Sequence, residues 1–448
     1  MSNLIFDVGQ RATTSLTSRQ TQIRSLSDRL IEAQKSLRIL ETIHWQPEIE
    51  ERFFADNARE LPRVTREVYS RNPLPFDRRA KVRELIALEN DICRQLGHAN
   101  ACSQMMVRRC QEYRQVVDLI ASRGQPGFAH QSERLFGKST WKSPFSALSL
   151  RAFSHLVKKT VAQLGTTEPV DETIHDAEHA ANILRQNLDR HFGAGVEFRV
   201  RVNRGLSADA SAGGHTINLR ADAHYADREI RLLEVHEGWV HLATTLNGRL
   251  QPACTFLSKC SPSATVTQEG LAVLTEILAG TSHPQRLCRL ANRIEAVAKV
   301  EAGADFLDVY RFYLEEGESP RAAYQQAHRV FRGSLPSGCG PFTKDLGYSK
   351  GFILLLEYLD RAQRAGVIGQ TSYLFCGKTC LTEVPHLAEL AEEGILAEPR
   401  WVPPPFAAQA VLELWTRVTR AVSLAFNDNF QNGSPAAVDL PPKACMLA

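Results

Sequence analysis

His236 and Glu237 open the run His236-Glu-Gly-Trp-Val-His241, an HExxxH pattern. Two imidazoles flanking an acid can hold a divalent metal and put a base beside it. The spacing is one residue longer than in HExxH. In an α-helix, residues four apart share a face, whereas residues five apart diverge by about 140°. Both histidines can meet one ion only if the helix carries a wide turn, and π-bulges of that kind favour functional sites. Gly238 would ease such a distortion. A third candidate donor, Glu269, follows His241 by 28 residues within Gln268-Glu-Gly-Leu-Ala272. Two His and one Glu leave a position open for water, the donor set of catalytic rather than structural zinc. Zn2+ would make that water acidic, and Glu237 could take its proton. The bland alternative is two ordinary helix histidines and an acid near a helix N-terminus. Spacing alone leaves both readings open.

Two other patterns compete. His175-Asp-Ala-Glu-His179 spells HxxEH, with its histidines on one helix face, but no acidic helix downstream matches it. It reads as a solvated face. Gly347-Tyr-Ser-Lys-Gly351 spells GxSxG, a nucleophile elbow that needs a preceding apolar strand. Pro341-Phe-Thr-Lys-Asp345 precedes it instead, and His386 is not singled out as a base. His224, just ahead of the metal helix, reads as a surface residue.

The elements that must position these residues are mostly helical. Leu and Ile recur at helical spacing from about 14 to 43. Residues 45–79 break at Pro62, Pro73 and Pro75 and read as a segment wrapping the main body, 82–120 as helix, and 122–144 as loop-rich. Val196–Val202 alternates as a half-buried strand, and His215–Arg220 is a second strand after a Gly213-Gly214 turn. Asp227 can cap a helix running to Asn247-Gly248. A capping-box pattern at Thr265–Gln268 predicts a helix ending near Gly280, with Glu269 in its first turn. Further helices are expected at about 286–301, 304–316, 319–332, 350–364 and 406–426, giving an α+β fold dominated by helix. An edge strand beside the metal helix would suit extended peptide, which pairs through its main chain.

Composition narrows the function. With 43% apolar and 23% charged residues the 448-residue chain is globular, and 53 basic against 50 acidic residues give a net charge of only +3. Neither a basic stripe nor a phosphate loop suggests a nucleic-acid or nucleotide partner. No apolar run reaches membrane-spanning length, and the N-terminus lacks signal-peptide features, so a cytoplasmic protein is expected. The ten cysteines contain no CxxC pair and read as buried free thiols.

Four ordered motifs carry a resemblance: VHEGWVH (235–241), VTQEGLAVLTEILAG (266–280), GADFLDVYRFYLEEG (303–317) and RVFRGSLPSGCGPFTKDLGYSKGF (329–352), with WQPEIEERFF (45–54) upstream. From about 45 to 365 the chain resembles the bacterial family named for its QEGLA motif. That family is similar to the eukaryotic microtubule-associated tyrosine carboxypeptidases. The resemblance implies zinc ligands at His236, His241 and Glu269, with Glu237 catalytic. It implies a zincin-like fold embedded in helices; the chain then divides into a helical region over 1–150 wrapping a core over 151–430, with a disordered tail expected at 431–448. A peptide or protein C-terminus is the substrate it suggests, although not tubulin. A peptidase needs an oxyanion donor, for which Tyr348 is the candidate. A carboxypeptidase also needs a cation for the terminal carboxylate, for which Lys344, Arg329 and Arg332 are candidates. These four residues could equally brace the glycine-rich loop 333–340. A non-catalytic zinc-containing regulatory or protein-binding module affecting gene expression is the alternative function.

Overall fold

The computed structural model describes residues 16–164, 173–193, 195–206 and 208–430, so the expected tail at 431–448 lies outside it. Helices dominate, and among the described residues a three-stranded sheet and a separate two-stranded pair are set among them, the three-stranded sheet being the main one. Its strands are β2 (Arg199–Asn203), β3 (Ala210–Gly213) and β4 (Thr216–Arg220), following a two-residue β1 (Ile174–His175) that pairs with β5 (Tyr225–Ala226). The spatial order is β2-β4-β3, with β2 parallel and β3 antiparallel to β4. Sequence reading gave β2 and β4 but took the Gly213-Gly214 stretch only as a turn. Ala210–Gly213 is in fact a third strand, at one edge of the sheet, its apolar signal hidden by small residues. Ile217 and Leu219 point into a core with Leu184 and Leu188 of helix Ala177–Phe192.

Other boundaries shift for local reasons. The 14–43 stretch is a helix over Ser18–Gln34 followed by a short turn at Ile39–Thr42. The 82–120 stretch is two helices, Arg78–Leu96 and Ala101–Ala121, parted at Gly97, whose φ is +79°. The loop-rich 122–144 contains a helix at Gly127–Phe136, closed by Gly137. The helix carrying Glu269 starts at Pro262, not Thr265. Ser261 accepts from the Ala264 amide, and Pro262 supplies a preset first helical residue. Glu269 therefore lies about two turns in, beyond the helix-end field.

The N-terminal helices are built into shared cores. Leu26, Leu88 and Met106 cluster with Phe256, Leu257, Leu387 and Leu390. Trp45 and Phe53 of the wrapping segment pack with Phe306, Tyr324 and Phe331. Trp45 Nε1 donates to the Tyr69 hydroxyl at 2.7 Å; that hydroxyl donates to the Ser334 carbonyl and accepts from the Gly333 amide, each at 2.9 Å. The loop after helix Pro320–Phe331 is thereby tied to the N-terminal region.

His328 lies between Trp45 and Tyr324, with ring centroids 4.7 and 6.3 Å away. Burial, and then Arg332 and Arg329, push its pKa down to about 3. In the unfolded chain it titrates at ~6.5. The unfolded state therefore takes the proton first, and the His328 contribution to stability is complete above ~6.5 and lost as pH falls toward 3. His328→Gln is expected to flatten this slope. Urea unfolding at pH 7.5 and 5.5 should show a smaller acid loss in the variant than in wild type. Equal losses would refute the assignment.

Candidate metal centre

The helix from Asp227 starts with Glu229 accepting from the Ala226 amide at 3.0 Å, so Ala226, not Asp227, is the cap position. After Leu233 it widens into a π-helix over Glu234–Leu242 and returns to α at Ala243–Leu250. A π turn takes one more residue than an α turn, so residues five apart come near one face. His236 and His241 accordingly meet, with ring centroids 4.8 Å apart and planes at 87°. Gly238 does not have positive φ. Its value is space, because a Cβ there would lie 2.2 Å from Leu188 Cδ2. The glycine lets helix Ala177–Phe192 close on the widened turn.

Glu269 arrives from helix Pro262–Leu278. Its Oε2 lies 3.5 Å from His236 Nε2 and 3.4 Å from His241 Nε2. All three donor atoms lie within 4.8 Å of one another, and no second such group occurs among the described residues. Ligands about 2.0–2.1 Å from a tetrahedral zinc sit roughly 3.4 Å apart, so both His–Glu separations suit the ion. Glu269 Oε2 is buried and has no hydrogen-bond partner, as expected of an atom awaiting a cation. The three residues fit zinc on geometry and donor type.

Buried charges surround the cluster. His236 Nδ1 contacts Glu276 Oε1 at 2.5 Å, and Arg286 grips Glu276 through two hydrogen bonds of 3.2 and 3.0 Å. Burial acts against a charged His236, but Glu269 and Glu276 outweigh it and push its pKa up to about 10. Burial and its neighbour His236 hold His241 below the ordinary histidine range. Burial also opposes ionisation of Glu269, yet Lys344 and the imidazoles hold its pKa well down. Lys344 Nζ is 3.1 Å from Glu269 Oε1. Lys378 Nζ donates to the His241 carbonyl at 2.8 Å and to Gln268 Oε1 at 3.0 Å, bracing the far end of the π turn. Glu237 is buried, and its Oε2 accepts from the Ala212 amide of edge strand β3 at 2.7 Å.

Of the remaining candidates, Tyr348 and Lys344 belong to helix Leu346–Arg364 and the residues just before it, and Arg329 and Arg332 to the end of helix Pro320–Phe331. Tyr348 stacks near His236, with centroids 6.2 Å apart and planes at 26°. Arg329 Nε is bound to Asp345 Oδ2 at 2.6 Å, and Arg332 lies 3.9 Å from the other oxygen. The two arginines thus gather on Asp345, while Lys344 alone of the three cations touches a metal donor. His175 lies on β1 rather than on the helix, half-buried; it bonds Asp227 at 2.7 Å and stacks on an exposed His179, so HxxEH forms a stacked pair bound to Asp227 and not a three-donor cluster. His224 is exposed. Ser349 is on the first turn of a helix with no preceding strand, unlike a nucleophile elbow. The nine described cysteines are free.

Sequence reading missed Glu276, Lys378 and Arg293, whose guanidinium lies over the Tyr348 ring at 4.5 Å from its centroid. Glu276 had a signal: it is seven residues after Glu269, on the same helix face, in an otherwise apolar run. Lys378 and Arg293 had none, because only the tertiary fold brings them here.

Together these features define a mostly helical α+β protein with a buried cluster of two histidines and a glutamate on a π turn. A family model described as microtubule-associated tyrosine carboxypeptidase matches residues 51–423, and the chain belongs to that family. No match was found among curated proteins. Among the described residues, no helix is long and apolar enough to cross a membrane.

Glu276→Gln should lower metal affinity about 10- to 100-fold, because the carboxylate orients His236 from behind. Competition with a chromogenic chelator measures this, and unchanged affinity would count against the arrangement. Gly270→Ala should destabilise the fold itself, since its Cβ would lie 2.1 Å from the Gly351 carbonyl carbon. A loss of at least about 1–3 kcal/mol is expected in chemical unfolding.

Proposed function

We propose that this chain is a zinc-dependent, carboxypeptidase-like hydrolase with a zincin-like core, acting on peptide or protein C-termini in the cytoplasm. One observation carries the reading. Glu237, a carboxylate outside the three-donor set, is buried next to it and held by the edge-strand amide of Ala212. A structural site has no use for such a group.

His236, His241 and Glu269 would hold the zinc, with Glu276 and Lys344 fixing His236 and Glu269. When bound, the ion would acidify a water and polarise the scissile carbonyl. Glu237 takes the proton of the attacking water and passes it to the departing amine. The Tyr348 hydroxyl is the candidate donor to the oxyanion, on a ring already set against His236. The outer edge of β3 offers main-chain groups to an extended substrate.

Two measurements test this. Chains purified without added metal should carry about one zinc in wild type and His179→Ala, and little in Glu269→Ala. Glu237→Gln should keep the zinc and lose about 10²- to 10⁴-fold in peptide hydrolysis. Undiminished cellular function in Glu237→Gln would favour the regulatory-module alternative.

A further inference from the structure

A second cleft, lined by none of the three metal donors, opens between helix Ala177–Phe192 and the start of the π segment. Its volume of about 410 Å³ falls in the range of small-molecule sites. Asn187, Arg190 and His191 line it from the helix, and Arg231 and Glu234 line it from the approach to the π turn.

The charges here are mixed and held apart. Arg190 Nη2 donates to Asn187 Oδ1 at 2.5 Å, and Asn187 Nδ2 donates to Glu234 Oε2 at 2.8 Å. The amide thus stands between a guanidinium and a carboxylate that could have paired directly and closed the cleft. Arg231 is exposed, and its side chain makes no hydrogen bond or ion pair among the described residues. His191 forms a wall. Its ring stacks on Trp239 of the π segment, with centroids 5.1 Å apart and planes at 19°, and its Nε2 is buried without a hydrogen-bond partner. A buried nitrogen in that state costs free energy unless something completes it.

We propose that this cleft binds a free α-amino acid, the class of product released by the enzyme on the hydrolase reading above, on which the choice of ligand rests. The α-carboxylate meets Arg231 and Arg190, whose planar forks suit it, and the ammonium meets Glu234. The ligand's side chain lies against His191. A simple anion would face Glu234, and a simple cation would face two guanidinium groups, so both charges on one small molecule fit better than either alone. The occupant also joins two elements, since Asn187 and Arg190 stand on one helix and Arg231 and Glu234 on the next. Leu188 meets Gly238 between the same two elements. Occupancy therefore restrains the π turn that carries His236 and His241, and raises the affinity for metal.

Calorimetric titration of the zinc-loaded full-length protein with the common L-amino acids, each in turn, tests the site. At least one should bind, and its N-acetyl and amide derivatives, each lacking one charge, should bind about 10- to 100-fold more weakly. Arg231→Gln and Arg190→Gln, both at exposed side chains, should weaken binding by a similar factor. Zinc content per chain verifies that each variant is folded. An amino acid held only at the metal site would bind both variants as tightly as wild type. That result, like the absence of binding or equal binding of the derivatives, overturns the assignment. In competition with a chromogenic chelator, the bound amino acid should raise zinc affinity at least about 5-fold in wild type and not in Arg231→Gln. Binding without this gain overturns the restraint on the turn. Amino-acid binding by a protein that cleaves no peptide would instead overturn the hydrolase reading and leave the cleft standing as a site.

Discussion

The site depends on how closely two helices cross. Helices Pro262–Leu278 and Leu346–Arg364 meet at Gly270 and Gly351, where a Cβ on Gly351 would lie 1.9 Å from the Val266 carbonyl oxygen. No side chain fits between these backbones. The crossing puts Glu269, one residue before Gly270, against Lys344 and beside the helix that carries Tyr348. A wider crossing would draw Glu269 away from the histidines and Tyr348 away from His236 together. The glycine of the GxSxG look-alike is thus a packing residue.

The π segment solves the companion problem on the other side of the cluster. A wide turn leaves helical hydrogen bonding poorly matched and must be held by its surroundings. Here Lys378 and Thr245 bind the His241 carbonyl, each at 2.8 Å, and Thr244 joins Gln268 at 2.8 Å. Leu188 closes on Gly238 from the opposite face. The widened helix and the Glu269 helix are therefore bound to each other by polar side chains as well as by the donors they share.

Charge is distributed asymmetrically around this frame. Carboxylates cluster behind and between the imidazoles, and guanidinium groups gather around Asp345 and Tyr348. On the proposed hydrolase reading, such a gradient across one small region would orient a polar substrate before any chemistry begins. Burial strengthens both ends, because few waters screen them.

The metal-donor candidates and the base candidate were legible in the sequence because their types and spacing are local properties. So was the need for a wide turn, which follows from helix geometry alone. Helix dominance and two of the three main strands could be read from periodicity. Strand β3 could not, since Ala-Ser-Ala-Gly has no alternating pattern and becomes a strand only by pairing with β4. Nor could the start of the Glu269 helix be read correctly, because Ser261-Pro262 competed with an equally plausible pattern at Thr265. The tertiary structure alone decided that Arg329 binds Asp345 and that Arg293 lies over Tyr348 with open donors. Pairings between distant segments are set by packing, and packing leaves little trace in the spacing of residues along a chain.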